Sequence, residues 1–310
     1  MQINVSHIIN PIYDLDKPPL QYIQAVTFKS IQNALKFYST SEKDIEFIIC
    51  STQYPEDHAS IPPFIQKLSN LEQSVLDVNE TLIGKKLPLI KDILNIGIQE
   101  TEADYLIYSN IDIALQPHFY DFVAHKINKG HDAIVINRRR IPFKVKPAEE
   151  ASQHLINYYG TIGRSHPGFD CFIIKKSVLE QFILDNICIG ISFLETALIH
   201  NIAAFSKNPL YVLDQHLTFH LGTEVLVPRK KNPFYWHNRN IFFNEIQPQL
   251  KPLWDVKRFP YGNKNIMKRG LGWGLNPSLF SRNFLELEGK NLTQSLKIKL
   301  DEIRWRILQK

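Results

Sequence analysis

Glycine is scarce in this chain, 13 residues in 310. No Gly-x-Gly-x-x-Gly follows the first apolar stretch, and no Gly-x-x-x-x-Gly-Lys-Ser/Thr occurs anywhere. A dinucleotide-binding or P-loop reading therefore lacks its backbone phosphate cradle, and a bound diphosphate must be neutralised by a metal and basic side chains. Cysteine is rarer still. Cys50, Cys171 and Cys188 have no metal-ligand spacing, lie in apolar runs and leave an odd thiol, so they read as buried free thiols of a reducing cytoplasm. The sequons at Asn4, Asn79 and Asn291 then carry little weight. No apolar run reaches the roughly 18 residues needed to span a bilayer. Met1-Gln2-Ile3-Asn4-Val5 has no basic stretch ahead of an apolar core, so no signal peptide is expected and the expected location is cytoplasmic. The absence of helix-turn-helix, zinc-finger and RNP-like patterns argues against a nucleic-acid partner.

What is present is ordinary for a soluble globular protein: 44% hydrophobic and 22% charged residues. The net charge of +5 suits an anionic ligand or an anionic membrane surface. Along the first 140 residues, strand patterns alternate with helix patterns. Gln2 to Ile9 reads as a strand ending at Asn10-Pro11, and Pro18-Pro19 opens a helix through Phe37. Ile45 to Cys50 is a second strand, followed by a Pro-rich loop with a short helix around Phe64 to Leu68. Val75 to Val78 reads as a third strand, Leu87 to Glu100 and Phe119 to Lys129 as helices, and Asp132 to Asn137 as a strand. This alternation implies an α/β fold with a mostly parallel sheet flanked by helices.

The stretch Ala103 to Ile113 stands out. A buried-strand run, Tyr105-Leu106-Ile107-Tyr108, delivers Asn110 and Asp112 two residues apart, which in a strand puts both on one side. Oxygen-bearing side chains at a strand's carboxyl end lie where open α/β sheets bind ligands, and Mg²⁺ or Mn²⁺ takes such oxygens together with substrate phosphates. The same two residues also serve simply to end a strand and start a turn. One strand later comes Asn137-Arg138-Arg139-Arg140, placed either to contact donor phosphate or sugar through Arg138 or Arg139, or to form a solvated face. Gly160 to Asp170 reads as a long polar loop with three glycines, and Asp170 closes it. Cys171 to Ile174 and Leu210 to Leu213 read as strands, and Ser177 to Phe182 as a helix. A further helix through Phe193, Ala197 and Ile202 carries Glu195.

In this order the features resemble a GT-A-type nucleotide-sugar glycosyltransferase, from about residue 3 to 225. Ser109-Asn110-Ile111-Asp112-Ile113 is similar to that family's Asp-x-Asp motif, with Asn110 in place of the first Asp. His166-Pro167-Gly168-Phe169-Asp170 resembles its acceptor-half segment, the Glu195 helix its acid-bearing helix, and Thr218-Phe219-His220-Leu221-Gly222 its late metal-histidine segment. The resemblance implies a nucleotide-diphosphate sugar as donor, a carbohydrate or other hydroxyl compound as acceptor, and a divalent ion, Mn²⁺ or Mg²⁺, held by Asp112 and His220. His216, four residues earlier, competes for the histidine role. The resemblance further implies donor contacts at Pro11, Asn110, Asp112, Arg138, Arg139 and His166. The base is expected at Glu195, with Asp170 second. Inverting and retaining outcomes both stay open. A sugar-phosphate nucleotidyltransferase and a non-catalytic binding protein with a decayed site are the rival readings; the glycine-free stretch Asn10 to Pro19 counts against the first.

Residues 1–225 are thus expected to form the GT-A-like domain, with a nucleotide half at 1–141 and an acceptor half at 142–225. Residues 226–310 are expected to be a mainly helical extension packed on it. That extension opens on Arg229-Lys230-Lys231 and an aromatic cluster, Phe234-Tyr235-Trp236. It continues with Gly270-Leu271-Gly272-Trp273-Gly274, which reads as a lid, and a basic amphipathic helix from Leu292. That helix suits docking on the body, oligomer formation or a peripheral contact with the inner membrane face.

Overall fold

The computed structural model describes residues 2–13, 18–38, 44–143, 146–213, 215–222 and 232–268. The Arg229-Lys230-Lys231 cluster, the Gly270 to Gly274 lid and the helix from Leu292 lie outside the described residues. A mixed sheet organises the rest. Parallel strands β1 (Ile3–Ile9), β2 (Ile45–Gln53), β3 (Gln66–Asn70) and β4 (Tyr105–Ser109) stand in the order β3-β2-β1-β4. Next to β4 runs antiparallel β7 (Arg164–Lys175), then β6 (Ala133–Ile141), antiparallel to β7 and so aligned with β4. The far edge of β6 is shared. Its first half pairs with β8 (Pro209–Val212) and its second with β9 (Thr218–Leu221), which in turn pairs with β5 (Ile113–Leu115). The chain leaves β1 toward β2 on one side and returns to β4 on the other. A crevice therefore opens at the carboxyl ends of β1 and β4, the place where open α/β sheets take ligands.

Helices cover both faces. The first turn of α1 (Pro18–Tyr38) needs no amide donors, which accommodates its two prolines, and Tyr22, Val26, Ile31 and Ala34 are buried inward. Helix α3 (Ile90–Glu100) lies close enough to the sheet that a Cβ on Gly97 would meet Ile8 Cδ1 at 2.0 Å and Leu106 Cδ2 at 2.8 Å. Glycine there sets the helix-to-sheet spacing. Helices α4 (Phe119–Asn128), α5 (Ala151–Gly160), the one-turn α6 (Lys176–Leu179) and α7 (Leu194–Phe205) complete the layers. Residues 232–268 are helical, with α8 (Pro233–Ile241), a π-helical stretch Phe242–Ile246 and the short α9 (Gln247–Leu250), and share an apolar cluster with α7. No described helix is long and apolar enough to cross a membrane.

The α/β sheet flanked by helices is the architecture implied by the sequence, but three local expectations fail. Val75–Val78 is a helical turn, α2, rather than a strand, because Ser74 and Asp77 form a capping box in which each side chain answers the other's backbone. The third strand lies earlier, at Gln66–Asn70, where a loop with a short helix was expected. Only Leu68 is buried there, so this edge strand has no apolar periodicity. Finally, Arg164 to Asp170 is not loop but the first half of the 12-residue β7. It pairs with β6 through register shifts at Ile136/Asn137 and Asn137/Arg139, and those irregularities hide the strand period.

Two histidines are built into the core as neutral rings. His7 of β1 is bonded through Nδ1 to the Tyr120 hydroxyl and through Nε2 to the Ser109 hydroxyl, both at 2.8 Å. His200 of α7 is ringed by Phe242, Trp254 and Phe259 at 4.6–5.0 Å between centroids. Burial holds each down to about 3. The folded value is depressed, so the stability is full above the unfolded value near 6.5. It is lost as pH falls from there toward 3, at about 1.4 kcal/mol per pH unit for each ring. Urea midpoints should drop steeply between about pH 6.5 and 4, and His200→Phe should flatten the slope. A midpoint constant over that window contradicts buried neutral rings.

Candidate active site

Strand β4 stops at Ser109, and the Ile113 N–H donates to the Asn110 carbonyl (3.1 Å), closing a turn before β5. Asn110 and Asp112 therefore sit in a tight turn, not on a continuing strand, and their placement owes nothing to strand period. Each takes different partners. Asn110 Nδ2 donates to Asp170 Oδ1 (3.1 Å), Tyr108 donates its hydroxyl to Asn110 Oδ1 (3.1 Å), and the Asn110 N–H donates to the Asp170 carbonyl (3.3 Å). The amide is thus spent on fixing Asp170. An aspartate in its place would set a second carboxylate against Asp170 and lose the donor, which gives a physical reason for asparagine at this position.

Asp112 faces the other way. Its Oδ2 lies 3.1 Å from His220 Nε2, which β9 delivers directly opposite Ile113. Its Oδ1 is buried and has no hydrogen-bond partner among the described residues, and neither has His220 Nδ1. Burial pushes the Asp112 carboxyl up. The pull and hydrogen bond of His220, together with Arg138, outweigh this and leave it below its ordinary value. An ionised carboxylate with an unused buried oxygen beside an imidazole is a donor set that fits a divalent ion. Among the described residues no group of three His, Cys, Asp or Glu forms a complete protein cage. Substrate phosphates and water would complete the shell, as is usual for Mg²⁺ and Mn²⁺.

Across the site, Arg138 of β6 forms an ion pair with Asp170 Oδ2, both side chains nearly buried. Asp170 is therefore held by Arg138 and Asn110 together, and such a pair is costly to break because either partner alone would be a buried charge. Glu195, second residue of α7, comes in from above. A Cβ on Gly168 would stand 3.1 Å from Glu195 Oε2, 2.7 Å from His166 Cε1 and 2.9 Å from His166 Nδ1, so β7 passes close beside both the carboxyl and the imidazole. Burial, then the charge of Asp170, pushes Glu195 up to about 8, against the opposing effects of the Phe169 amide and Arg138. His166 accepts from the Gly168 N–H at Nδ1 (2.9 Å). Burial, followed by the charges of Arg138, Arg140 and His220, holds its ring well below the usual imidazole range. It is a neutral ring with its proton on Nε2.

The fold therefore brings Asn110, Asp112, Arg138, His166, Asp170, Glu195 and His220 to one end of the sheet. Two other expected site residues lie elsewhere. Arg139 donates to the carbonyls of Ile162 and Gly163, securing the entry to β7. Pro11 is buried just past the end of β1. The residues after it are tied down: the Ile12 N–H donates to Gln24 Oε1 (2.9 Å) and the Tyr13 N–H to Asp57 Oδ1 (2.7 Å). His216 bonds Gln116 at 2.9 Å rather than Asp112. Sequence reasoning missed Tyr108, Asn137, whose Nδ2 donates to the His166 carbonyl (3.2 Å), and the buried His7–Ser109 bond beneath the turn. The available signal was polar residues inside otherwise apolar strands.

Chemically the site has two parts. One is an ionised carboxylate–imidazole pair with an unsatisfied oxygen, suited to a cation and diphosphate. The other is a carboxyl of raised basicity, able to accept a proton near neutral pH. No protein-family model matches the chain, and no curated protein matches it in sequence. Among solved structures it is similar to S. aureus TarS 1-349 in complex with UDP-GlcNAc, at 11% identity over 91% of this chain and 89% of that one, TM-score 0.41. The complex of the same protein with UDP gives the same identity and coverage and a TM-score of 0.43. M. tuberculosis glucosyl-3-phosphoglycerate synthase is similar at 9% identity over 77% and 80%, TM-score 0.42. At these values the likeness carries no functional argument.

Proposed function

We propose that this chain is a nucleotide-sugar glycosyltransferase, moving a sugar from a nucleoside-diphosphate donor to a hydroxyl acceptor. The observation that supports it most is the division of labour at the sheet's carboxyl end. Asp112, ionised and with Oδ1 unused, stands with His220 on one side, and Glu195, pushed up to about 8, stands on the other. In this reading Asp112 and His220 would hold a divalent ion against the donor. When bound, that ion would neutralise charge on the departing diphosphate.

The chain's own residues supply the remainder. Glu195 accepts the proton of the acceptor hydroxyl as that oxygen attacks the sugar, and its raised value makes it a competent base near neutral pH. Asp170, the second candidate, is engaged by both Arg138 and Asn110. It acts instead as a fixed negative charge that raises the basicity of Glu195. Arg138, bound to Asp170 and acting on Asp112, Glu195 and His166, sets the potential between the two halves. His166, a neutral ring accepting from the Gly168 N–H at Nδ1, lines the site between Arg138 and His220. In this reading Pro11 and the tethered residues after it, just past the carboxyl end of β1, would contact the nucleoside of the donor.

The test is release of nucleoside diphosphate from a panel of nucleotide sugars, without and with Mn²⁺ or Mg²⁺, and with simple sugars as acceptors. At least one donor should be turned over, faster with metal. Silence toward every donor under all conditions contradicts the assignment.

A further inference from the structure

Glu195 enters its helix two residues after a strained backbone position. Residue 193, immediately before α7, is a phenylalanine in the left-handed region (φ 79°, ψ −12°), a conformation that bulky residues avoid and that the surroundings must hold in place. Those surroundings come from the C-terminal helices. The Phe193 ring is buried against Tyr235 of α8 and against Phe242 and Phe243 of the π-helical stretch, with centroids 5.6–5.7 Å apart. A second restraint comes from the same helix. Asn238 of α8, fully buried, accepts from the Cys188 N–H through Oδ1 (2.9 Å). Through Nδ2 it donates to the carbonyls of Cys188 (2.9 Å) and Ser192 (3.1 Å). One amide thus clamps both ends of the Cys188 to Ser192 loop that feeds Phe193 and Glu195. A buried amide making these bonds has no cheap substitute, since each lost partner leaves an unsatisfied backbone group.

We propose that Asn238 and Phe193 are positioning residues for Glu195, and that the C-terminal helical segment completes the active site by locking the loop that aims this carboxyl. Its catalytic meaning rests on the reading of Glu195 as the base. The positional part does not, and the two can be separated. The groups that face Glu195 are Asp170, the Phe169 amide and the His166 ring from β7, and Arg138 from β6. Removing the clamp lets the carboxyl leave this enclosure for water while those groups stay where they are.

The experiment follows the Glu195 carboxyl carbon by NMR titration in ¹³C-glutamate-labelled full-length protein, with Glu195→Gln to assign the signal. In the parent protein it should titrate near 8. In Asn238→Ala it should move back toward the ordinary glutamate range near 4.3. Phe193→Leu, which keeps an apolar side chain in the cluster, should move it the same way and serves where Asn238→Ala does not fold. An unchanged Glu195 titration in a folded variant overturns the proposal, whatever the protein's activity. With a turned-over donor in hand, a double-mutant cycle adds a second readout. Asn238→Ala should lower kcat at least about 10-fold with KM for donor unchanged, and should cost nothing further in the Glu195→Gln background. Equal losses in both backgrounds overturn the proposal. Absence of turnover by the parent protein, with the titration shifted as expected, overturns the glycosyltransferase reading alone.

Discussion

Replacing Glu195 with glutamine should lower kcat for sugar transfer by at least about 100-fold, the lower range of what a positioned general base contributes. Donor affinity should stay as it was. Glutamine keeps the size of the side chain and removes only its proton-accepting oxygen, so loss of rate without loss of binding identifies an interaction made in the transition state. The parent rate should rise with pH to a plateau above about 8, where Glu195 is ionised, and this limb should vanish in the variant. Stability must move oppositely. The folded carboxyl sits above its unfolded value, so its contribution is fully present below the unfolded value and is lost as pH rises through about 8. Glu195→Gln should therefore melt higher than the parent at about pH 8.5 and nearly equal to it at about pH 4. An active variant, or one with a pH-independent difference in melting, contradicts the assignment of Glu195.

Asp112→Ala should abolish metal-dependent nucleotide binding. Its Oδ1 is a buried oxygen with no hydrogen-bond partner among the described residues and its Oδ2 carries His220, so the substitution removes a cation donor and frees the imidazole that shares it. For the parent, a nucleoside diphosphate at a hundred times its Kd should add about 2.7 kcal/mol to stability. The variant should gain close to none, with Mn²⁺ present or absent. Asn110 is the contrast: its amide nitrogen is engaged by Asp170, its oxygen already accepts from the Tyr108 hydroxyl, and it carries no charge to attract a cation. The motif's weight therefore falls on its second position.

These expectations mark how far the sequence could be read. β1, β2 and β4 announced themselves through short apolar runs rich in isoleucine and aromatic residues, and α1 and α3 through their spacing, because one face of each helix meets the core. β3 and the first half of β7 were invisible for opposite reasons. β3 is an edge strand with almost nothing buried, whereas β7 is central but spends His166, Gly168 and Asp170 on the site. Polar residues placed for chemistry look like a loop to any rule based on periodicity. The members of the site were readable one by one, from Asn110 and Asp112 to Glu195 and His220. The family resemblance grouped Asp112 with His220, but the contact of Asn110 with Asp170 was not readable, because it depends on a turn after Ser109. Asn238 gave no signal at all, since a buried asparagine that clamps a distant loop is indistinguishable in sequence from one on a helix surface.

The measurement closest to the central assignment is a thermal-shift titration of the parent chain with UDP and GDP, with and without Mn²⁺. A rise in melting temperature that needs both nucleotide and metal, and that disappears in Asp112→Ala, is the predicted result. A parent chain that responds to neither nucleotide, or an Asp112→Ala variant that responds as fully as the parent, contradicts it.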